Sequence, residues 1–158
     1  MKWVKGTKEF NEQFYYKPED LLVANIYRMK GNSDLASKHY NAAVQVLLQK
    51  IKEDPEDSRI YASLGLAYAG LGRKSDAVRE GKKGYNLLPV SREAWRGSWR
   101  LLDLAQIYSM TGEKGQAVNI IKQLLSMPTD ALSVEILKID PVWDSLREDP
   151  GFKKLILN

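Results

Sequence analysis

The chain has 158 residues, of which 44% are hydrophobic and 28% charged, enough for one domain with a core or a short repeat array. No apolar run approaches the roughly 18 residues of a membrane-spanning helix, the opening residues lack the apolar stretch of a signal peptide, and cysteine is absent, so disulfides, thiolate nucleophiles and zinc–cysteine sites are excluded. The net charge is only +4, but residues 58–100 hold nine basic against three acidic side chains, so any anionic partner is expected there.

Residues 1–16 carry Trp3, Phe10, Phe14, Tyr15 and Tyr16. They read as the second helix or tail of a preceding helical unit, with the natural protein continuing upstream. From residue 17 a repeat begins. Tyr27, Gly31 and Ala36 share their spacing with Tyr68, Gly72 and Ala77, and with Tyr108, Gly112 and Ala117. Each tyrosine closes an apolar stretch at helical spacing, and a second apolar-periodic helix follows each glycine. The glycine supplies the left-handed turn that ends the first helix. Ser33 and Ser75 are the expected caps of the second helices. Ala24, Gly65 and Ala105 from the first helices, and Ala36, Ala77 and Ala117 from the second, are small enough to let the two cross closely.

The units divide the chain at 17–57, with a second helix from Ser33 to Glu53, at 58–97 including a connector, and at 98–139. Pro55 and Pro89 stop the second helices of the first two units. The second unit has Gly81 and Gly84 inside its second helix, where each costs about 1 kcal/mol relative to alanine unless close packing needs it. Gly84 is expected to be the one that cannot accept a methyl group. Residues 140–158 contain Asp140-Pro141 and Asp149-Pro150, two helix-start signals. With Trp143, Leu146, Phe152, Leu155 and Ile156 they form a short helical cap over the last hairpin.

This pattern resembles the tetratricopeptide repeat family over residues 17–128. The second unit, with Tyr61, Leu64, Gly65, Tyr68, Ala77 and Pro89, carries the closest match. The ending is also similar to the C-terminal repeat region of larger bacterial regulatory proteins. The resemblance implies an all-α, right-handed solenoid of three hairpins, with an extra N-terminal helical segment and the C-terminal cap. It implies a concave groove lined by first helices, with Leu21, Asn25 and Arg28 from the first unit, Arg59, Ala62, Leu66 and Ala69 from the second, and Trp99, Leu102, Gln106 and Ser109 from the third. A subtype that grips chaperone C-termini needs basic and amide residues where this chain has Leu21, Asn25, Ser63, Trp99 and Asp103. Only Asn25 fits, so a clamp of that kind is not expected.

Catalytic groups are sparse. His39 is the single histidine, the acids of Glu53–Asp57 flank a turn proline, and the glycines at 70 and 72 are explained by the repeat. The expected function is a non-enzymatic module that binds a protein or peptide in the groove, with no cofactor and no metal. Membrane insertion is not expected, nucleic acid is disfavoured, self-association is left open, and a cytoplasmic setting is favoured over a periplasmic one. The alternative is an anionic ligand or nucleic acid on the basic middle unit, where Arg92, Arg96 and Arg100 would form one stripe on a continuous helix. Trp95 is expected to pack against the connector, and Trp99 to face the groove as a partner contact.

Overall fold

The computed structural model describes residues 8–157. Strands β1 (Glu9–Asn11) and β2 (Tyr16–Pro18) form an antiparallel hairpin, with Phe10 opposite Lys17 and Asn11 opposite Tyr16. Three helical hairpins follow. They are α1 (Glu19–Met29) with α2 (Ser33–Glu53), α3 (Ser58–Gly70) with α4 (Lys74–Leu87), and α5 (Ala94–Met110) with α6 (Lys114–Leu125). Helix α7 (Val134–Ile139), a 3-10 helix (Pro141–Leu146) and α8 (Pro150–Leu157) close the chain. The expected all-α hairpin array is present, and among the described residues no helix is long and apolar enough to cross a membrane.

The three turns are copies of one another. Gly31, Gly72 and Gly112 have φ of 73°, 73° and 82°. The residue after each glycine donates its N–H to the tyrosine carbonyl at 2.9 Å: Asn32 to Tyr27, Arg73 to Tyr68, and Glu113 to Tyr108. Each glycine N–H reaches the carbonyl one residue beyond that tyrosine, on Arg28, Ala69 and Ser109. This pair of bonds is the Schellman termination, which satisfies carbonyls at the end of the helix and reverses the chain. The caps differ from expectation. Asn32, not Ser33, accepts from the Leu35 N–H, and α4 starts after Arg73 with no side-chain cap. Ser33 and Ser75 fall inside the helices, because the glycine turn is too short to leave either residue outside.

Between the helices of each pair the predicted small residues meet. Ala24, Ala77, Ala105 and Ala117 have no exposed surface, and Gly65 and Ala36 are buried beside them. Helix α3 lies between its neighbours and is buried without interruption from Ile60 to Ala69. The cap covers the far end of the third pair with Trp143, Leu146 and Phe152, all fully buried. Its two aspartates work as expected: Asp140 accepts from the Val142 N–H, and Asp149 from the N–H groups of Gly151 and Phe152.

The expected N-terminal helical segment is also overturned. The segment before residue 17 is not helical where it is described, and Trp3 lies outside the described residues. Phenylalanine and tyrosine favour a pleated, half-buried surface. Pro18 both disfavours helix at Lys17 and ends the strand. The hairpin is therefore the local preference of this stretch, fixed by what it packs against.

Gly81 and Gly84 are both buried on α4, but against different neighbours. A methyl group on Gly84 would lie 2.9 Å from the Ser58 carbonyl oxygen and 3.0 Å from the Ala62 nitrogen, both backbone atoms of α3. On Gly81 it would meet the Ile107 Cδ1 at 2.6 Å, the mobile end of a side chain. Gly84→Ala is expected to lose about 1–3 kcal/mol in thermal or denaturant melts, as overpacking against fixed backbone does. Gly81→Ala should lose clearly less, and a reversed order would contradict this packing.

Candidate functional site

The first helices α1, α3 and α5 share one side of the array, and the residues expected on that side divide into three groups. Leu21, Asn25, Arg28, Leu66 and Gln106 converge on one hollow of about 210 Å³, together with Lys17, Met29, Met110, Asp140 and Val142. A larger hollow of about 490 Å³ adjoins it, framed by Arg28, Met29, Ser109 and Met110 on the helices and by Pro141, Val142, Asp144 and Ser145 on the cap. Arg28 is common to both. Its Nε is buried without a hydrogen-bond partner, and among the described residues it forms no ion pair. The Asn25 amide oxygen accepts from the Tyr40 hydroxyl at 2.6 Å. Burial raises the pKa of that hydroxyl, and the nearby Arg28 charge acts in the opposite direction.

A second group is covered by the N-terminal hairpin. Arg59 pairs with Asp57 at 2.6 Å and donates through Nη1 to the Asn11 side chain at 3.0 Å and to the Glu12 carbonyl. Burial works to raise the Asp57 carboxyl, but hydrogen bonds and charge from Arg59 outweigh it and hold the group below its ordinary value. Ser63 donates to the Tyr16 carbonyl, and Arg100 to that of Phe14. The Phe14 ring stacks on Trp99 with centroids 5.2 Å apart, and meets Trp95 at 5.6 Å in a tilted contact.

The third group is core. Ala62 is 2% exposed and Leu102 7%, so neither offers surface to a partner. Ala69 is likewise buried, and the Ser109 hydroxyl is taken by the Val142 carbonyl and by Ser145 of the cap. Ala62, Ala69 and Leu102 thus fail by burial, and Leu21 and Leu66, equally buried, supply only the floor of the hollow: a small or aliphatic side chain on a central helix is covered by its neighbours before it reaches the groove.

The basic stripe does not form. Arg92 lies before α5, in the turn, and donates to the Leu87 carbonyl. Arg96 pairs with Glu93, the residue that caps α5. Arg100 is 2% exposed and pairs with Asp103 at 2.9 Å. Burial pushes the Asp103 carboxyl up, and the Arg100 charge pulls it back. Arg92 and Arg96 instead line a hollow of about 440 Å³ with Arg59, and Asp54, Glu56 and Asp57 share its wall. That mixture of signs is poor ground for an anion. Gly97 does not break the helix; it is buried against the Pro89 and Val90 backbone.

The two tryptophans exchange their expected exposures. Trp95 is 56% exposed, and its Nε1 donates to Asp130 in the loop between α6 and α7, not to the connector, at 3.1 Å. Trp99 is the half-buried one, held between Phe14 and the core of the third pair. The hairpin that causes this left a partial signal in the sequence, since Phe10, Phe14, Tyr15 and Tyr16 cluster ahead of Pro18 and aromatic residues are enriched in strands. His39 is bound to Asp20 at 2.6 Å and stacked on Tyr27, a structural setting. Among the described residues no group of three or more His, Cys, Asp or Glu could hold a metal ion.

Comparison with known proteins places this geometry among its relatives. The sequence model of the tetratricopeptide repeat matches residues 20–89. The chain is 28% identical over 86 residues to a protein of Triticum aestivum named Hsp70-Hsp90 organizing protein, a match covering 54% of this chain and 14% of that one. It is 31% identical over 71 residues to the STIP1 homolog of Dictyostelium discoideum, covering 45% and 13%. It is 32% identical over 63 residues to the human small glutamine-rich tetratricopeptide repeat-containing protein beta, covering 40% and 21%. The matches therefore span only a minor part of each relative. No solved structure matches the chain.

Trp99→Ala is expected to cost about 2 kcal/mol, part of the loss typical of a buried tryptophan. At roughly 2–4 °C per kcal/mol for a chain of this size, the melting temperature should fall by about 4 °C or more. Trp95→Ala should change it by less than about 3 °C, as for a loss under 1 kcal/mol. Calorimetric melts of the two variants check the assignment.

Proposed function

Because residues 20–89 belong to the tetratricopeptide repeat family, we propose that the chain is a non-catalytic protein-interaction module that binds a peptide or protein segment in the concave groove. In this reading the units at 17–57, 58–97 and 98–139 each contribute one first helix to the groove. The open half of the groove, at Asn25, Arg28, Gln106 and Met110 over a floor of the buried Leu21 and Leu66, is the binding site. The observation that carries it is the convergence of α1, α3 and α5 on one hollow edged by Arg28, whose Nε is buried without a hydrogen-bond partner. Apolar walls with a few convergent polar groups are the usual make-up of a recognition site.

Arg28 sets the expected chemistry of the ligand. A buried guanidinium nitrogen without a partner favours a ligand that brings an acceptor, and a carboxylate matches its fork best. A segment with an acidic side chain or a chain end beside an apolar residue fits the hollow. The names of the relatives agree with a part that joins proteins, since one is called an organizing protein for Hsp70 and Hsp90.

The alternative, an anion or nucleic-acid site on the basic middle unit, has weak support. Arg59, Arg73, Arg79, Arg96 and Arg100 are all paired with carboxylates. Their charge is largely met within the chain, which leaves little to release counterions from a phosphate backbone.

A display library of random peptides selected on the protein tests the reading. Selected peptides should lose about tenfold or more in affinity on Arg28→Ala and on Gln106→Ala, with both melting temperatures unchanged within about 3 °C. Peptides that bind the two variants as well as they bind the natural chain would place the site elsewhere.

A further inference from the structure

The N-terminal hairpin sits on the concave side as a ligand would. Its turn, residues 12–15, is closed by the Glu12 N–H donating to the Tyr15 carbonyl at 2.9 Å. The turn presents Phe14 to two tryptophans of α5, and carbonyls on either side of the turn and within it go to groove side chains: Glu12 to Arg59, Phe14 to Arg100, Tyr16 to Ser63. One aromatic side chain in an aromatic cleft, with its flanking carbonyls held by side-chain donors, is a form of peptide recognition.

The fit is incomplete. Trp99 Nε1, Arg100 Nε and Arg100 Nη1 are buried at this seat without hydrogen-bond partners. Buried donors left unmet are costly, so a ligand that brings more acceptors gains over the hairpin. Phe14 is only half-buried, and Trp95 is 56% exposed. The hairpin has just two strands of three residues, a unit that is marginal alone and depends on its seat.

We propose that Trp95, Trp99, Arg59 and Arg100 form a second subsite of the groove, for an aromatic side chain presented on a turn with its backbone carbonyls free. Phe14 holds this subsite in cis until such a peptide displaces it. The proposal rests on the reading of the concave face as a peptide groove, and extends that groove over α3 and α5. It makes the hairpin a competitor of the partner. A segment tethered beside its own seat acts at a high effective concentration, so free peptides bind the intact chain weakly.

The test uses the whole chain and a fluorescent peptide with the sequence of Glu9–Pro18. Phe14→Ala in the protein should tighten peptide binding by about tenfold or more, by removing the internal competitor. A peptide without the phenyl group should bind that variant about tenfold more weakly, and adding Trp99→Ala to the protein should have the same effect. Equal affinity for natural and Phe14→Ala chains, or indifference to the peptide's phenyl group, overturns the proposal. Should Phe14→Ala lose its cooperative melt, the natural chain decides. With excess isotope-labelled peptide, intermolecular Overhauser contacts should link the peptide's phenyl ring to the indoles of Trp95 and Trp99 and not to that of Trp143, whereas no contact to Trp95 or Trp99 rejects the subsite. This binding is read through the peptide's phenyl group and Trp99, neither of which belongs to the Arg28 hollow, so failure at that hollow and failure here are separate results.

Discussion

The left-handed glycine turn is the constraint on which the rest of the structure depends. At Gly31, Gly72 and Gly112 the backbone takes a conformation that other residues adopt at a cost of roughly 1–2 kcal/mol. That conformation lets two N–H groups return to the carbonyls of the departing helix, and it sends the second helix back along the first. Small residues then decide how close the two helices come. Ala24 with Ala36, Gly65 with Ala77, and Ala105 with Ala117 lie at matched positions of their pairs. Since each turn and each crossing are alike, each pair repeats the last, and first helices line up on one side.

That alignment forms the face proposed as the groove, and two additions shape it. The cap closes one end through Ser109, whose hydroxyl meets Val142 and Ser145. The hairpin covers the other half through Arg59, Ser63 and Arg100. What stays open is the stretch around Arg28 and Gln106. The buried Arg100–Asp103 pair belongs to this arrangement. A buried ion pair is a weak source of stability, but here it aims a guanidinium at the carbonyl of Phe14. Arg59 does the same from α3, steadied by Asp57.

The repeats were legible because their signal is local and occurs three times. A tyrosine, a glycine and an alanine at constant spacing record a helix end, a chain reversal and a crossing, and each needs its own residue type. The cap was legible for a similar reason, since an aspartate before a proline can do little but start a helix. The groove was only partly legible. Helical spacing tells which side a residue faces, but not what lies above it, so Ala62 and Leu102 seemed available although neighbours bury them. The basic stripe misled in the same way. Arg100 and Arg96 are four apart, yet Asp103 and Glu93, each three residues away, had already claimed them. The exchange between Trp95 and Trp99 could not be read at all without knowing where Phe14 goes. That contact joins residues 85 positions apart in the chain.

The central claim is that the groove forms on the aligned first helices and that the chain's own hairpin fills half of it. The most direct measurement is a proton nuclear Overhauser spectrum of the free protein. Cross-peaks should link the Phe14 ring to the indole protons of Trp99, and more weakly to those of Trp95, with none to Trp143. Their presence would place the hairpin on α5. A Phe14 ring with unperturbed, solvent-like shifts and no contact to either tryptophan would contradict the account.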